Sequence, residues 1–558
     1  MNKKWECSSA DETKVNELIE KYKLSSILAN ILVKRDIENI DKFLSPTRHD
    51  FHDPFLMPDM DKAVQRLIKA IEDNQKIMIF GDYDADGITS ITVLKKFLNE
   101  RGMEVGTYIP NRLNEGYGLN KEAIKQIFEQ GYTLMITVDC GISGIEEVEY
   151  ANSLGMETII TDHHEPAESL PNAYAVIDAK RKDNEYPFNQ LAGVGVVFKV
   201  IQAISQKLGL EEKDYLKYLD FVCVGTISDI VPLVDENRVI AKLGLKLVEV
   251  TRNIGLKTLI DSIGFKEINS SVISFGVAPR INACGRMGHA QEALDLFLCD
   301  DANEAKEIAT RLNAFNQERQ AKERAICEQV VEQIEAGEKD KTCIVLGHEN
   351  WHHGIIGIVS SKVTEMYFKP SILICFEGDE GKGSGRSIPG FDLHEALMKC
   401  SDTIEKFGGH SMAIGITVKK DKFEEFKQEF EEYAKSCNIS EIVPVVQIDE
   451  EVNLKDICID DVRSIKLLEP FGEANKMPIF LFKNLKINAI RTLSDGKHLK
   501  LKLKSDNYMI DAIGFNMGDL ANQYLLDDKV DVVGSLDINN FNGNESIQIT
   551  LKDIRKSY

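Results

Sequence analysis

Three aspartates, Asp82, Asp84 and Asp86, crowd into five positions of "GDYDADG". Like charges this close repel, and a bound cation is one way to relieve them. Two further stretches carry similar side chains: Asp139 in "TVDCGISG", and Asp162, His163 and His164 in "TDHHEP". Asp229, in "GTISDIVPL", lies in an apolar stretch where an ionised carboxylate needs a partner. Taken singly, each has an ordinary use: a lone Asp at a strand end caps a helix or shapes a turn, and paired histidines decorate a surface. Taken together, they are oxygen and imidazole donors that suit Mn2+ or Mg2+ better than a thiolate-bound metal. Five or more donors suit two ions. Two ions roughly 4 Å apart can activate a water and stabilise the leaving oxygen of a phosphate ester.

These residues need a scaffold that brings them to one place. "KIMIFGD" (76–82), "TLMITVD" (133–139), "ETIITD" (157–162) and "YAVID" (174–178) read as buried strands, separated by helical stretches such as "KEAIKQIFEQG". That alternation predicts a parallel sheet with helices packed on it. In open sheets of this kind, functional loops gather beyond the carboxyl ends of the strands, so the acidic sets are expected to converge in one crevice. Residues 1–50 read as short helices, and 191–265 as mainly helical. The stretch 301–341 reads as a long charged helix, either solvated or connecting two lobes. "TCIVLG" (342–347) opens a second α/β region. Beyond about residue 445 the pattern is all-β, a small barrel or sandwich.

The totals are consistent with this. At 558 residues the chain is too long for one core, and roughly 150 residues per domain suggests three or four. No apolar run reaches 18 residues, and "MNKKWECSSADETK" lacks a signal-peptide core, so the expectation is a cytoplasmic protein with no membrane contact. The 11 cysteines form no CxxC pair, which fits reduced thiols rather than a zinc ribbon or a disulfide framework. A net charge of −23 argues on its face against nucleic acid, but local grooves and bound cations decide that binding.

"GDYDADG", "VDCG", "TDHH" and "SDIVPL", in this order and spacing, resemble the DHH phosphoesterase superfamily and, within it, the RecJ family of single-strand-specific 5′→3′ exonucleases. "APRINACGRMG", "GHENWHHGIIGIVSSKV", "GSGRSI" and "FGGHSMAIG" resemble later segments of that family, and "LEPFGEANKMP" and "HLKL" resemble its OB-fold. The resemblance covers essentially the whole chain. It implies an α/β protein: a DHH parallel-sheet domain and a second α/β, DHH-associated domain joined by a long helix, plus a C-terminal β-barrel OB-fold. The expected divisions are 1–60 (helical), 61–270 (DHH), 271–340 (connector and long helix), 341–444 (DHH-associated) and 445–558 (OB-fold). It implies two Mn2+ or Mg2+ ions held by Asp84, Asp86, Asp139, His163 and Asp229. Many relatives carry a histidine where this chain has Phe80, which makes Asp82 a substitute ligand. His164 is expected to face the scissile phosphate beside Asp139 and Asp229 as catalytic groups, and Asp162 to orient His163 or the loop.

The resemblance further implies phosphate and DNA contacts at Arg112, Tyr117, Ser384 and Arg386 around a 5′-terminal phosphate. Arg280, Asn282 and Arg286 are candidates on the first lobe's far edge, and Gly408, Gly409 and His410 on the second lobe. In "HLKLKLKS", Lys500, Lys502 and Lys504 recur at period two, so three charges share one strand face, with Arg491, Lys497 and His498 near. This face is either a solvated edge strand or a groove for single-stranded DNA. The family also suggests recombination and repair beside a single-strand-binding protein and a RecQ-type helicase. Some of its members continue past the OB-fold, so ending at Tyr558 implies no added partner domain. Two other readings stay open: a DHH phosphodiesterase for short oligonucleotides or cyclic dinucleotides, and a catalytically dead binding module.

Overall fold

The computed structural model describes residues 3–112, 114–265, 267–541 and 543–557. It divides into two compact units. One comprises Phe51–Val231 and Leu243–Val443; the other comprises Met1–Asp50, Pro232–Lys242 and Pro444–Tyr558.

The first unit holds the expected parallel sheet. Its strands lie in the order Val105–Tyr108, Ile77–Gly81, Leu134–Val138, Glu157–Thr161, Ala175–Ile177, all parallel. Ile77–Gly81 and Leu134–Val138 are buried along their whole length because helices cover both faces. From Ile77–Gly81 the chain first steps to one side, to Val105–Tyr108, and then to the other, to Leu134–Val138. The connections leaving those two neighbouring strands therefore diverge and open a crevice at their carboxyl ends. Asp82 follows one of these strands and Asp139 the other.

A second sheet in the same unit has the order Lys406–His410, Ala413–Lys419, Glu380–Arg386, Ser371–Glu377, Ile344–His348. Only its last pair is parallel. The charged stretch before it is a 32-residue helix, Ala302–Gln333, about 48 Å long at 1.5 Å per residue. Ile308, Leu312, Ile326 and Val330 are buried along it, so it is a packed strut rather than a solvated rod.

In the second unit, Phe480–Leu493, His498–Ser505, Tyr508–Gly514, Asn544–Lys556 and Lys529–Phe541 form a sheet that closes when Lys529–Phe541 pairs back with Phe480–Leu493. The strands run 7–14 residues. Leu499, Leu501 and Leu503 point into the barrel, and Leu28, Ile31 and Leu32 of the Ser26–Lys34 helix join the same core. The N-terminal stretch differs from expectation in one respect: it opens with a strand, Lys4–Cys7, paired in parallel with Val445–Ile448. Four residues whose partner lies some 440 positions away carry no local signal. No described helix is long and apolar enough to cross a membrane.

Candidate active site

The acidic loop is shaped by its own backbone needs. Asp84 caps the Ala85–Asn99 helix, its Oδ1 accepting from the N–H of Asp86 (2.9 Å) and of Gly87 (3.1 Å). A β-carbon at Gly87 would stand 2.3 Å from the Asp82 carbonyl, so only glycine permits this turn. Asp86 is buried, and its two oxygens accept from the N–H groups of Gly193 (2.6 Å) and Val194 (2.8 Å) at the start of the Gly193–Lys207 helix. Asp139 has a left-handed backbone, φ +59°, and packs so closely on position 193 that a β-carbon there would lie 2.6 Å from its own. Asp229 ends the Leu219–Ser228 helix as its C-cap.

These pieces meet around His163. Its Nε2 lies 3.1 Å from Asp139 Oδ1, 3.6 Å from Asp229 Oδ2 and 3.9 Å from Asp86 Oδ2. Donor atoms form three overlapping groups, each within 4.8 Å: Asp82 with Asp84 and Asp139; Asp86 with His163 and Asp229; Asp139 with His163 and His164. All six acids and imidazoles expected as ligands are thus brought together, and His164 reaches the same donor set. Phe80, at the position of the missing histidine, is fully buried and stacks on Tyr108 at 5.2 Å.

The charge balance of this cluster is incomplete. Burial, and then the charge of Asp84, pushes Asp86 up to about 7. Burial and neighbouring carboxylates push Asp82, Asp139 and Asp229 well above the usual carboxylate range. Burial, and then the His164 charge, holds His163 down to about 3, so its ring is neutral at physiological pH. A hydrogen bond to the Leu191 backbone holds that ring, while Nε2 has no hydrogen-bond partner. Asp82 Oδ1 and Asp139 Oδ1 are likewise buried without one. Lone pairs facing one another at 3.1 Å in a dry site fit a cation between them.

Asp162 is fully buried and holds His164 rather than the His163 ring. Its Oδ1 pairs with His164 Nδ1 at 2.7 Å and accepts from the His163 N–H at 2.8 Å, while its Oδ2 accepts from the Ile142 N–H at 2.9 Å. Burial disfavours the His164 imidazolium, but Asp162, Asp86 and Asp82 outweigh it and raise its pKa. The Tyr117 hydroxyl lies 3.2 Å from both the Asp139 carbonyl and His164 Nδ1.

A cationic patch shares this unit. Arg112 lies over the Tyr83 ring at 5.2 Å, Arg286 donates to the Gly354 carbonyl at 2.9 Å, and Arg386 donates to Ser384 Oγ at 3.0 Å. Burial, then the Arg112 and Arg319 charges, lowers Arg286 to about 10; burial and Arg112 also lower Arg386. Arg319 Nε and His353 Nδ1 are buried here without a partner. Such crowded guanidinium groups call for an anion. Sequence reasoning missed Arg319 because it sits in a helix full of charges, four residues before its ion-pair partner Glu323. His353 falls within the "HHG" stretch, but nothing local separates it from His352.

Other candidates are placed differently. Arg280 donates through Nε to Asn313 Oδ1 (2.6 Å) and through Nη1 to the Gly276 carbonyl (2.7 Å), and Asn282 Oδ1 accepts from the Ala85 N–H (2.8 Å), so each is anchored to the scaffold by part of its polar group. Gly408, Gly409 and His410 lie in an exposed strand whose register aligns His410 with Ala413 and then Arg386 across the sheet. In the other unit, Arg491 pairs across the strands with Lys500. His498 Nδ1 accepts from the Asn516 N–H at 3.0 Å. The lysine strand is paired on both sides and is therefore not an edge. Lys500 is largely buried against Asp511 at 2.8 Å, whereas Lys502 is exposed.

Comparison with known proteins agrees with this architecture. Residues 76–226 match the N-terminal domain of the DHH family, 340–436 the DHHA1 domain and 448–553 the RecJ OB domain. The chain is 38% identical to the single-stranded-DNA-specific exonuclease RecJ of Bacillus subtilis, over 99% of this chain and 70% of that protein. It is 33% identical to the Escherichia coli protein of the same name, over 89% and 90%. The crystal structure of RecJ from Thermus thermophilus in complex with Mn2+ superposes with a TM-score of 0.87 at 30% identity, covering all of this chain and 80% of that one. The same protein in complex with Mg2+ gives a TM-score of 0.81 at 28% identity. With matches of this length across all three folded modules, the chain belongs to the RecJ family.

Proposed function

We propose that this protein is a metal-dependent exonuclease that degrades single-stranded DNA from the 5′ end to mononucleotides, in recombination and repair. The observation that carries the reading is the set of partnerless buried atoms, Asp82 Oδ1, Asp139 Oδ1 and His163 Nε2, inside overlapping donor groups. Asp82, Asp84, Asp86, Asp139, His163 and Asp229 would hold two Mn2+ or Mg2+ ions, which, when bound, supply an activated water and charge for the leaving oxygen.

The remaining chemistry belongs to the chain. Asp162 fixes the His164 ring and favours its charged form, so His164 offers a positive hydrogen-bond donor to the non-bridging oxygens of the scissile phosphate. Water replaces the 3′-oxygen of the first nucleotide, which leaves with a proton. The phosphate stays on the second nucleotide and becomes the new 5′ end. Arg112, Arg286, Arg386 and Ser384 then meet the same anion after every turnover, which gives the enzyme its polarity. The barrel's exposed lysines suit the trailing single strand. A single-strand-binding protein and a RecQ-type helicase are the partners that this role calls for, in the cytoplasm.

The test uses 5′-labelled and 3′-labelled single-stranded DNA with Mn2+, beside Asp139→Ala. Mononucleotides should appear from the 5′ end, and not with the variant. Long strands left intact with every divalent metal would refute the reading.

A further inference from the structure

Directly after Asp229 the chain does something costly. Ile230 occupies the first position beyond the Leu219–Ser228 helix and its cap, with φ +61°. A β-branched side chain at positive φ crowds its own backbone and is a genuine outlier. Among the described non-glycine residues with positive φ, Ile230 is the only β-branched one. Of the other described helices capped left-handed, Ile145–Leu154 and Ile254–Ile263 use glycine, Gly155 and Gly264, while Glu12–Tyr22 and His353–Tyr367 use Lys23 and Phe368, neither of them β-branched.

Packing does not compensate. Ile230 is 69% exposed, so its side chain contributes little to any core. Its N–H makes a long bond to the Ile227 carbonyl, 3.4 Å. An apolar, strained and exposed residue is unfavourable three times over in the free protein. Strain of this kind persists where it serves a site.

The site is adjacent. Asp229 Oδ2 lies 3.6 Å from His163 Nε2, inside the donor cluster. Consecutive Cα atoms are about 3.8 Å apart, so the Ile230 backbone lies on the order of 10 Å from a phosphate held at the Asp229 carboxylate. A nucleotide's sugar and base span a similar distance.

We infer that Ile230 is a substrate-contacting residue: it presents an apolar surface on which a nucleobase flanking the scissile phosphodiester packs, holding the phosphate at the metal-binding carboxylates. Its strained backbone is what turns the side chain outward. The inference rests on the exonuclease reading above.

The test uses the full chain with Ile230→Gly and Ile230→Asn, both compatible with positive φ, and Ile230→Val as the conservative control. Thermal unfolding is measured with each. Exonuclease kcat and KM are measured on a 5′-phosphorylated oligonucleotide, and on the same strand carrying a tetrahydrofuran abasic residue at its first or its second position. Gly and Asn should melt at or above the wild-type temperature, yet lose about tenfold in kcat/KM, mostly through KM, as expected for one apolar side chain's burial. Val should stay within about threefold. Wild type should lose activity on one of the two abasic strands, and the Gly and Asn variants should show no such further loss. The inference is overturned if Gly and Asn stay within about twofold of wild-type kcat/KM, if they lose equally on intact and abasic strands, or if both melt lower. A wild type inactive on every strand would instead refute the exonuclease reading, and this inference with it.

Discussion

Asp139→Asn should make the metal-free protein more stable while removing its response to metal. The side chain sits among Asp82 and Asp84, with donor atoms within 4.8 Å. Two unit charges at that distance repel by about 3.5 kcal/mol at an effective dielectric of about 20. Burial, then Asp86 and these neighbours, raise its pKa, so protonation relieves part of the repulsion and the Coulomb figure is an upper bound at about pH 8. Asparagine tolerates the backbone at φ +59°, and its amide can donate to His163 Nε2, which faces Asp139 Oδ1 at 3.1 Å. The sign follows from linkage. A carboxylate whose folded pKa is raised contributes stability that is fully present below its unfolded pKa, near about 4, and lost as pH rises through the folded value. Asp86, at about 7, belongs to the same group. Metal-free wild type should therefore weaken from about pH 4 to beyond about 7, and the variant less steeply. In denaturant titrations with EDTA at about pH 8 the variant should be the more stable. With Mn2+ at about 100 times its Kd, wild type should gain about 2.7 kcal/mol per site and overtake it. A variant less stable than wild type without metal, or equally stabilised by Mn2+, would refute the reasoning.

Asp162→Asn removes the carboxylate that holds the His164 charge, so the alkaline fall of kcat/KM should move to lower pH while KM changes little. Gly193→Ala forces a β-carbon against Asp139 and should cost about 1–3 kcal/mol of stability, with Mn2+ affinity weakened in the same titration. Arg386→Ala should erase most of the preference for 5′-phosphoryl over 5′-hydroxyl strands, a loss of about tenfold or more in kcat/KM on phosphorylated ends alone. Lys502→Ala should lower the salt dependence of strand binding by about one ion, whereas Lys500→Ala, whose charge is already spent on Asp511, should lower it less.

Much of this was legible in the chain itself. Buried strands ending in acids appear as unbroken apolar runs followed by Asp82, Asp139 and Asp162, and a parallel sheet makes strand ends converge whatever the intervening sequence. The alternation in "HLKLKLKS" assigned the leucines of 499, 501 and 503 to the barrel interior for the same reason: side chains on a strand change face at every residue. What stayed hidden is pairing across distance. The Lys4–Cys7 strand exists only because Val445–Ile448 offers it an edge. Arg280 and Asn282 each commit a polar atom to the fold, to Asn313 and to Ala85, contacts that only helix packing creates. Asp162 chose His164, not the His163 ring, because the loop geometry turns the Nδ1 of His164 toward it.

The sequence by itself determined the donor types, their order and the sheet that gathers them, since residue chemistry and strand periodicity are local properties. Only the tertiary structure decided which charges are compensated. Arg319 joins an arginine cluster, Lys500 is neutralised by Asp511, and Asp82, Asp139 and His163 keep atoms with no partner. Those outcomes depend on burial and on distances between segments far apart in the chain. Coulomb and desolvation energies are set in space, so they become readable only after folding.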